Sequence, residues 1–300
     1  MKNSLSTQTW DSIAADISAS TQTSFVITRS SPIGGGCINQ AYCITDGRQH
    51  YFVKLNTREQ LCMFEDEAAG LMEIYRSRTL RVPSPICHGS DADSAWLVLE
   101  YIDISGRASG KGSDLGKQLA AMHRTTSTHF GWIRNNTIGA TPQVNSISSN
   151  WVDFWRTHRL GYQLDLARKN GFNGKLQTLG ENILLELDKL LAEASPAASL
   201  LHGDLWSGNY AFDEMGNPII FDPAIYYGDR EADIAMTELF GGFPADFYSA
   251  YRHEYPLDSG YNTRKIVYNL YHILNHLNLF GSNYRHQAEQ MMGFLLAEIR

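Results

Sequence analysis

A short polar segment near residue 200 carries side chains that could bind a metal or move a proton. Residues 202–209 read HGDLWSGN, and Asp222 follows at the end of the next apolar run. Mg²⁺ prefers oxygen ligands, so Asn209 and Asp222 could hold it together with nucleotide phosphates. Asp204 would then be free to orient a hydroxyl group and accept its proton. The order Asp, Asn, Asp is found in phosphotransferases built like protein kinases, although each residue alone also fits an ordinary turn.

A glycine-rich segment and a lysine upstream fit the same chemistry. Gly34, Gly35 and Gly36 lie between two predicted strands, where glycine lets backbone N–H groups approach a phosphate closely. Lys54 lies at the centre of the apolar run FVKL, where an unpaired buried ammonium is costly. Glu67, on the following predicted helix, can supply its partner. The alternatives are a plain hairpin turn for the glycines and a solvated lysine on an edge strand.

The cysteines predict reduced thiols. Cys37, Cys43, Cys62 and Cys87 form neither a CxxC pair nor a cluster with zinc spacing. Cys37 directly follows the triple glycine, where backbone N–H groups would lower the pKa of its thiol and raise its reactivity. Oxidation there would obstruct a nucleotide, and the alternative is an inert small residue on a turn.

The elements that must position these residues fall into two regions. Runs rich in β-branched and aromatic residues predict strands at 25–28, 41–45, 51–55 and 96–99. Apolar residues three and four positions apart predict one helix in this region, over 62–80. The Gly/Ser-rich stretch 105–113 predicts a mobile connection, so a lobe boundary is expected just before it.

The second region is predominantly helical. Amphipathic spacing occurs at Leu115, Leu119 and Met122, again over 183–191, and again over 266–277. Two short apolar runs between Leu200 and Asp222 predict hairpin strands that carry the polar segment. The chain is therefore expected to divide into a nucleotide-binding lobe, 1–102, and a catalytic and substrate-binding lobe, 103–300.

Composition excludes several classes of protein. The 300 residues are 43% hydrophobic and 19% charged, which is typical of a globular chain with a sizeable core. A net charge of −7 leaves no broad basic field for nucleic acid or an anionic membrane surface. The sequence shows neither a run of about 18 apolar residues nor a secretory signal. We therefore expect a cytoplasmic protein with no nucleic-acid or membrane partner; no segment marks an obligate interface, so no oligomeric state is predicted.

Four segments resemble the fructosamine kinase (ketosamine 3-kinase) family, within the aminoglycoside phosphotransferase-like kinases. They are HGDLWSGN at 202–209, DPA at 222–224, YGDREAD at 227–233 and TELFGGF at 237–243. The likeness covers nearly the whole chain, and its most specific element is the Trp-Ser pair inside the first segment. It implies an α+β, bilobal protein-kinase-like fold. The small β-rich N-terminal lobe would carry one helix, the larger C-terminal lobe would be mainly helical, and a nucleotide cleft would lie between them.

The resemblance also implies roles for the residues singled out above, with ATP and Mg²⁺ as cofactors. Gly34, Gly35 and Gly36 would bind phosphates, Lys54 would hold the α- and β-phosphates, and Glu67 would position it. The hinge residues Glu100, Tyr101 and Ile102 would bind adenine through backbone groups. Asn209 and Asp222 would bind the metal, Asp204 would be the base, and His202 and Asp233 would support the catalytic loop.

The substrate class implied by the resemblance is a ketoamine, formed when a reducing sugar glycates an amine, either free or attached to a protein. Phosphorylation of its 3-hydroxyl gives an unstable product that releases the amine, so the reaction leads to deglycation. Trp206 could stack on the sugar or pack beneath the loop. Asp229 and Glu231 are further candidate substrate contacts. The alternatives are a kinase of another hydroxylated amine, such as an aminoglycoside, choline or a sugar, and a pseudokinase, which the intact catalytic positions disfavour.

Overall fold

The chain forms two compact units. The computed structural model describes residues 6–34, 38–104, 111–192 and 195–299. Unit 1 comprises Met1–Gly110 with Ala211–Phe221, and unit 2 comprises Lys111–Tyr210 with Asp222–Arg300. The units differ from the expected lobes of 1–102 and 103–300 mainly because the short segment 211–221 groups with unit 1.

Unit 1 contains an antiparallel sheet and two α-helices within the described residues. In chain order its elements are α1 (Thr7–Thr21), β1 (Arg29–Ile33), β2 (Gln40–Thr45), β3 (His50–Thr57), α2 (Leu61–Ser77), β4 (Pro85–Ser90) and β5 (Ser94–Glu100). The strands lie in the order β1-β2-β3-β5-β4, and each pair of neighbours is antiparallel. The predicted strands at 41–45, 51–55 and 96–99 are confirmed. Helix α2 ends before the predicted residue 80 because Arg78 adopts a left-handed backbone, with φ of 56°.

Two expectations for this unit are wrong. The sequence pattern predicted one helix, but α1 is a second one, and its Ile13 and Ile17 are completely buried in the core of the sheet. The expected strand at 25–28 has no regular structure, and β1 begins at Arg29 instead. Phe25 packs into the same core, and its N–H group donates to Ser18 Oγ at the end of α1 rather than to a neighbouring strand.

Unit 2 is mainly helical, and the chain leaves it once for a hairpin. Its elements and that hairpin (β10, β11) are α3 (Gly112–His123), β6 (Thr126–Ser127), β7 (Asn136–Ile138), β8 (Thr141–Gln143), α4 (Trp151–Trp155), α5 (Tyr162–Lys169), α6 (Lys175–Leu190), β9 (Ala198–Leu201), β10 (Tyr210–Phe212), β11 (Pro218–Ile220), β12 (Tyr226–Gly228), α7 (Glu231–Leu239), α8 (Ala245–Glu254), α9 (Tyr261–Phe280) and α10 (Arg285–Glu298). A π-helical segment, Arg156–Gly161, joins α4 to α5. The predicted amphipathic runs correspond to α3, α6 and α9.

Short strands position the polar segment found in the sequence. Strand β9 lies between β12 and β6, and the loop 202–209 leaves its C-terminal end. The expected hairpin strands are β10 and β11, which pair with each other, whereas β9 pairs antiparallel with the later strand β12. In the ranges given above, no helix combines the length and the apolar character needed to cross a membrane.

Candidate active site

In unit 1 the structure brings Lys54 and Glu67 together. Lys54 lies on β3, which is flanked by β2 and β5, so it is not on an edge strand. Its Nζ is 2.6 Å from Glu67 Oε1, and the two side chains are 8% and 11% exposed. An ion pair so shielded from water holds the ammonium group in one place.

The glycine-rich segment is only partly described. Gly34 follows β1, and a Cβ atom there would meet open space among the described residues. Packing in this part of the structure therefore does not account for a glycine at position 34. Gly35, Gly36 and Cys37 lie outside the described residues, and so do residues 105–110 of the expected connection.

The predicted hinge begins at the end of β5. The Glu100 N–H group donates to Ser84 O at 2.8 Å, and the Glu100 carboxylate lies 2.8 Å from an Arg81 nitrogen. Tyr101 and Ile102 follow the strand, and the Tyr101 ring packs near His50 with the ring centres 5.9 Å apart. The backbone of Glu100 is thus used within the sheet, while its side chain forms an ion pair.

In unit 2 the loop after β9 places Asp204 beside Asn209. Asn209 Nδ2 donates to the Asp204 backbone oxygen at 2.9 Å and lies 3.3 Å from Asp204 Oδ2. The Asp204 N–H group donates to Nδ1 of the buried His202. Gly203 has φ of +81°, and a Cβ atom there would overlap the carbonyl oxygen of Ala224. Both facts require glycine at this position of the loop.

Asp222 completes the group of polar residues. It adopts a left-handed backbone, with φ of 57°, which is uncommon for a residue other than glycine. Two residues later the Ala224 N–H group donates to His202 O, which connects this segment to the loop 202–209. Burial and the negative charge of Asp222 raise the pKa of Asp204 to about 7. The charge effect indicates that Asp222 lies near Asp204, and the Asp222 carboxylate and the Asn209 amide oxygen are the kind of oxygen ligands that Mg²⁺ prefers.

Asp233, near the start of α7, holds the backbone of the loop 202–209 by hydrogen bonds. Its Oδ2 and Oδ1 accept hydrogen bonds from the backbone N–H groups of His202 and Gly203, at 2.7 and 2.8 Å. His123 Nε2 lies 3.1 Å from Asp233 Oδ2, and its Nδ1 lies 2.7 Å from Tyr251 Oη. Burial alone would raise the pKa of Asp233, but the hydrogen bonds that its carboxylate forms, first with His123 and also with the Gly203 N–H group, help to lower it. The side chains of Asp233 and His123 are fully buried, and their hydrogen bonds hold the backbone of the loop in place.

The surroundings of two expected substrate contacts, Asp229 and Glu231, argue against that role. Asp229 is 3% exposed and Glu231 is 1% exposed. Glu231 forms two hydrogen bonds with the buried guanidinium of Arg264, at 2.7 and 2.9 Å. Asp229 accepts a 2.6 Å hydrogen bond from Tyr268 Oη, and burial together with the charge of Glu231 raises its pKa. These carboxylates thus link the start of α7, and the residues just before it, to α9, and they are shielded from solvent.

Trp206 has a different environment. Its side chain is 38% exposed, and its ring covers Gly208, where a Cβ atom would overlap the indole. Its backbone N–H group donates to Asp204 O at 3.2 Å, so a backbone hydrogen bond joins the two residues within the loop. The ring therefore lies against Gly208 while the residue keeps more than a third of its surface exposed.

A buried polar cluster behind this loop was not found from the sequence. Gln143 Nε2 donates to Ala224 O, and Asn136 Nδ2 donates to Ile225 O, both at 2.9 Å. Asn145 links Asn136 to the guanidinium of Arg159, whose exposure is zero. Short polar residues in β7 and β8 resemble ordinary loop residues, so only their shared burial marks them as supports for the segment after Asp222.

The sequence comparisons agree with this geometry. Residues 9–298 match the model of the fructosamine kinase family. A "Probable ketoamine kinase" of Synechocystis sp. is 50% identical over 284 residues, covering 94% of this chain and 95% of that protein. The chloroplastic protein-ribulosamine 3-kinase of Arabidopsis thaliana is 43% identical over 265 residues, covering 87% and 81% of the two chains.

Solved structures show the same fold. A crystal structure of a candidate fructosamine-3-kinase from Haemophilus somnus 129PT has a TM-score of 0.88 and 28% identity, covering 96% of this chain and 97% of that chain. An aminoglycoside phosphotransferase in ternary complex with ADP and hygromycin B has a TM-score of 0.59 and 15% identity, covering 95% and 97% of the chains, and shows the fold alone. The chain thus belongs to the fructosamine kinase family and is a phosphotransferase with a protein-kinase-like fold.

Proposed function

We propose that this enzyme uses ATP and Mg²⁺ to phosphorylate the 3-hydroxyl group of ketoamines, as a step in deglycation. The observation that carries this proposal is the hydrogen-bonded pair of Asp204 and Asn209 together with Asp222, in a chain of the fructosamine kinase family. The relatives named ketoamine kinase and protein-ribulosamine 3-kinase favour a ketoamine substrate, both free and attached to protein.

Asp204 is proposed as the base. A group whose pKa lies near the working pH can accept a proton while keeping a useful driving force, and the pKa of Asp204 is raised to about 7. Asn209 uses its Nδ2 atom to hold Asp204, which leaves Oδ1 as a donor atom for the metal. Asn209 Oδ1 and the exposed carboxylate of Asp222 would hold Mg²⁺. When bound, the metal would neutralise charge on the phosphates during transfer.

Unit 1 is proposed to bind the nucleotide. Lys54, oriented by Glu67, would contact the α- and β-phosphates, and residues 34–36 would approach them through backbone N–H groups. Adenine would bind at Glu100, Tyr101 and Ile102. Because the Glu100 N–H group donates to Ser84, the donors at this site would come from the two following residues.

Trp206 is proposed to contact the substrate. A partly exposed indole two residues after the proposed base could stack on the C–H face of a sugar while Asp204 binds a hydroxyl group. A polycationic aminoglycoside would need accessible carboxylates, and the two acids expected to supply them, Asp229 and Glu231, are buried. This difference favours a ketoamine over the alternative hydroxylated amines.

ADP release should be measured with fructosyl- and ribulosyl-amines, and the phosphorylated carbon should be identified by NMR. The unglycated amines, an aminoglycoside and choline serve as controls. We expect turnover with ketoamines alone and a phosphate on the third carbon. Asp204→Asn should lower kcat by ~10²–10⁴-fold while ATP still binds, because the amide cannot accept the proton. Turnover with choline or an aminoglycoside, and none with any ketoamine, would overturn the substrate assignment.

Lys54→Met tests the assignment of the phosphate-binding lysine separately. Methionine has similar length but lacks the positive charge, so the phosphates would lose an alignment that matters in the transition state. We expect the loss mainly in kcat. Unchanged turnover would remove Lys54 from the active site.

A further inference from the structure

Arg81, four residues before β4, connects three segments of unit 1. Its Nη1 atom is 2.5 Å from Asp213 Oδ2, in the turn of the β10–β11 hairpin, and its Nη2 atom is 2.8 Å from Glu100 Oε1 at the end of β5. Its carbonyl oxygen accepts the N–H group of Ile220 at 3.0 Å. One residue thus contacts the turn of the hairpin, the outgoing strand β11 and the start of the proposed adenine-binding segment.

The hairpin offers Arg81 a fixed negative charge. Asp213 is 5% exposed and accepts hydrogen bonds from the N–H groups of Met215 and Asn217, at 3.0 and 2.8 Å, and from Asn217 Nδ2 at 3.1 Å. Burial opposes ionisation, but these hydrogen bonds and the charge of Arg81 lower the pKa of Asp213. The carboxylate therefore shapes the turn and binds Arg81 at the same time.

The other partner of Arg81, Glu100, is also held by hydrogen bonds. Glu100 Oε2 accepts the N–H group of Ser84 at 3.2 Å, and the Glu100 N–H group donates to Ser84 O. A guanidinium group has several donors in one plane and can bind two carboxylates at once, whereas an ammonium group cannot reproduce this geometry. The Arg81 side chain is 40% exposed, so its replacement does not leave a cavity in a core.

The connectivity of the chain explains why the contact between Arg81 and the β10–β11 hairpin matters. Asn209 directly precedes β10, and Asp222 comes two residues after β11, so both candidate metal ligands are attached to the ends of the hairpin that Arg81 holds. The hairpin from Ala211 onward groups with unit 1, and the two ligands group with unit 2. A shift of the hairpin would displace both ligands, and a misplacement of about 1 Å near a reaction centre can cost ~10²-fold in rate.

We propose that Arg81 is a positioning residue that couples nucleotide binding after β5 to metal binding at Asn209 and Asp222. This inference rests on the proposed function. It predicts that Mg²⁺ strengthens ATP binding partly through the two ion pairs of Arg81. Coupling between two ligands is commonly 5–150-fold in affinity, and we expect Arg81→Ala to reduce the effect of Mg²⁺ on nucleotide affinity by about 5-fold or more.

The test measures the Kd of a non-hydrolysable ATP analogue by calorimetry, with and without Mg²⁺, for wild type, Arg81→Ala, Arg81→Lys and Glu100→Gln. Arg76→Ala is the matched control, since Arg76 is an exposed arginine that pairs with Glu73 on α2. Hydrogen exchange of the Asn217 and Ile220 amides reports on the hairpin without any ligand. We expect faster exchange, a smaller effect of Mg²⁺ and a lower kcat in Arg81→Ala, with wild-type behaviour in Arg76→Ala.

Two results would overturn the proposal. One is a lower Tm for Arg81→Ala with the Mg²⁺ effect and kcat unchanged, because a purely structural contact would behave in that way. The other is full rescue by Arg81→Lys, which would show that bridging two carboxylates is not needed. If Arg81→Ala does not fold, the same measurements on Glu100→Gln decide whether the ion pairs of Arg81 carry the coupling. If wild type phosphorylates no ketoamine, the proposed function fails, while the binding measurements still decide the role of Arg81.

Discussion

The carboxyl group of Asp204 shows how a few neighbours adapt one residue to its proposed task. Burial and the charge of Asp222 raise its pKa to about 7, and the hydrogen bond from Asn209 opposes them. A carboxylate that is costly to ionise in the folded protein is also a stronger base than a solvated one. The same contacts that favour catalysis should therefore destabilise the unliganded fold.

This cost should appear in the pH dependence of stability. The pKa of Asp204 is about 7 in the folded protein, above its ordinary value of 3.8. The folded protein therefore holds the proton of Asp204 more tightly than the unfolded chain does. The stability that this proton contributes is fully present below pH 3.8 and is lost as the pH rises to about 7. Asp204→Asn cannot ionise, and we expect it to be more stable than wild type at pH 8 but equal at pH 3.5. Urea unfolding of the metal-free proteins at both pH values measures the difference. If the stabilities of the two proteins differed by the same amount at both pH values, the raised pKa would be contradicted.

A second prediction at this scale concerns Trp206. Removing an indole that contacts the sugar should raise KM for a ketoamine by the equivalent of ~1–3 kcal/mol, with KM for ATP unchanged. Because the ring is 38% exposed, Tm should fall little in Trp206→Ala. Trp206→Phe keeps an aromatic face and should recover part of the affinity. A fall in Tm accompanied by a rise in both KM values would instead indicate that Trp206 only stabilises the loop.

At the scale of elements, α7 and α9 are joined by a buried ion pair. The side chains of Glu231 and Arg264 are each 2% exposed, and Arg264 Nη1 also donates to Ser259 O at 2.7 Å. Such a pair gives little net stability compared with apolar residues, but the loss of one partner leaves a buried charge. The sequence motif YGDREAD therefore includes an acid, Glu231, whose carboxylate is paired with Arg264 on α9.

Glu231→Gln should test that role. We expect a loss of about 3–5 kcal/mol in the free energy of unfolding, because the buried guanidinium of Arg264 would lose the carboxylate that is hydrogen-bonded to it. The double variant Glu231→Gln/Arg264→Met should recover most of the loss, and KM for the ketoamine should stay at the wild-type value in both. Denaturant titration and steady-state kinetics provide the two readouts. A raised ketoamine KM at unchanged stability would restore Glu231 as a substrate contact.

At the scale of the whole molecule, the chain crosses between its two units more than once. Unit 1 includes 211–221, which the sequence places between two parts of unit 2. Arg81 holds this segment through Asp213 and Ile220. Neither unit is therefore a continuous piece of the chain, and the parts of unit 1 depend on contacts between residues more than 100 positions apart.

A fragment ending at residue 110 should reveal this dependence. It contains the sheet of unit 1 but lacks β10 and β11, so we expect it to unfold at a lower temperature and less cooperatively than the same fragment with 211–221 attached through a flexible linker. Thermal unfolding followed by circular dichroism compares the two. Identical melting curves would show that the hairpin adds nothing to the stability of unit 1.

The candidate site could be predicted from the sequence where the chemistry is local. The segment 202–209 and Asp222 identified the oxygen-rich group, and the lysine inside an apolar strand indicated a partner for Lys54. Strands β2, β3 and β5 followed from runs rich in β-branched and aromatic residues, and helices α2, α3, α6 and α9 from the spacing of their apolar residues. These features depend on neighbours within a few residues, and a sequence displays such neighbours directly.

Other features were decided only by the tertiary structure. Helix α1 was missed because its apolar residues are few, and its stability comes from packing Ile13 and Ile17 against the sheet. The motif made Asp229 and Glu231 look accessible, but Tyr268 and Arg264 on α9 enclose them. Burial and long-range pairing of this kind arise when distant segments meet, so the sequence determined which groups could react, and the fold decided which of them a substrate can reach.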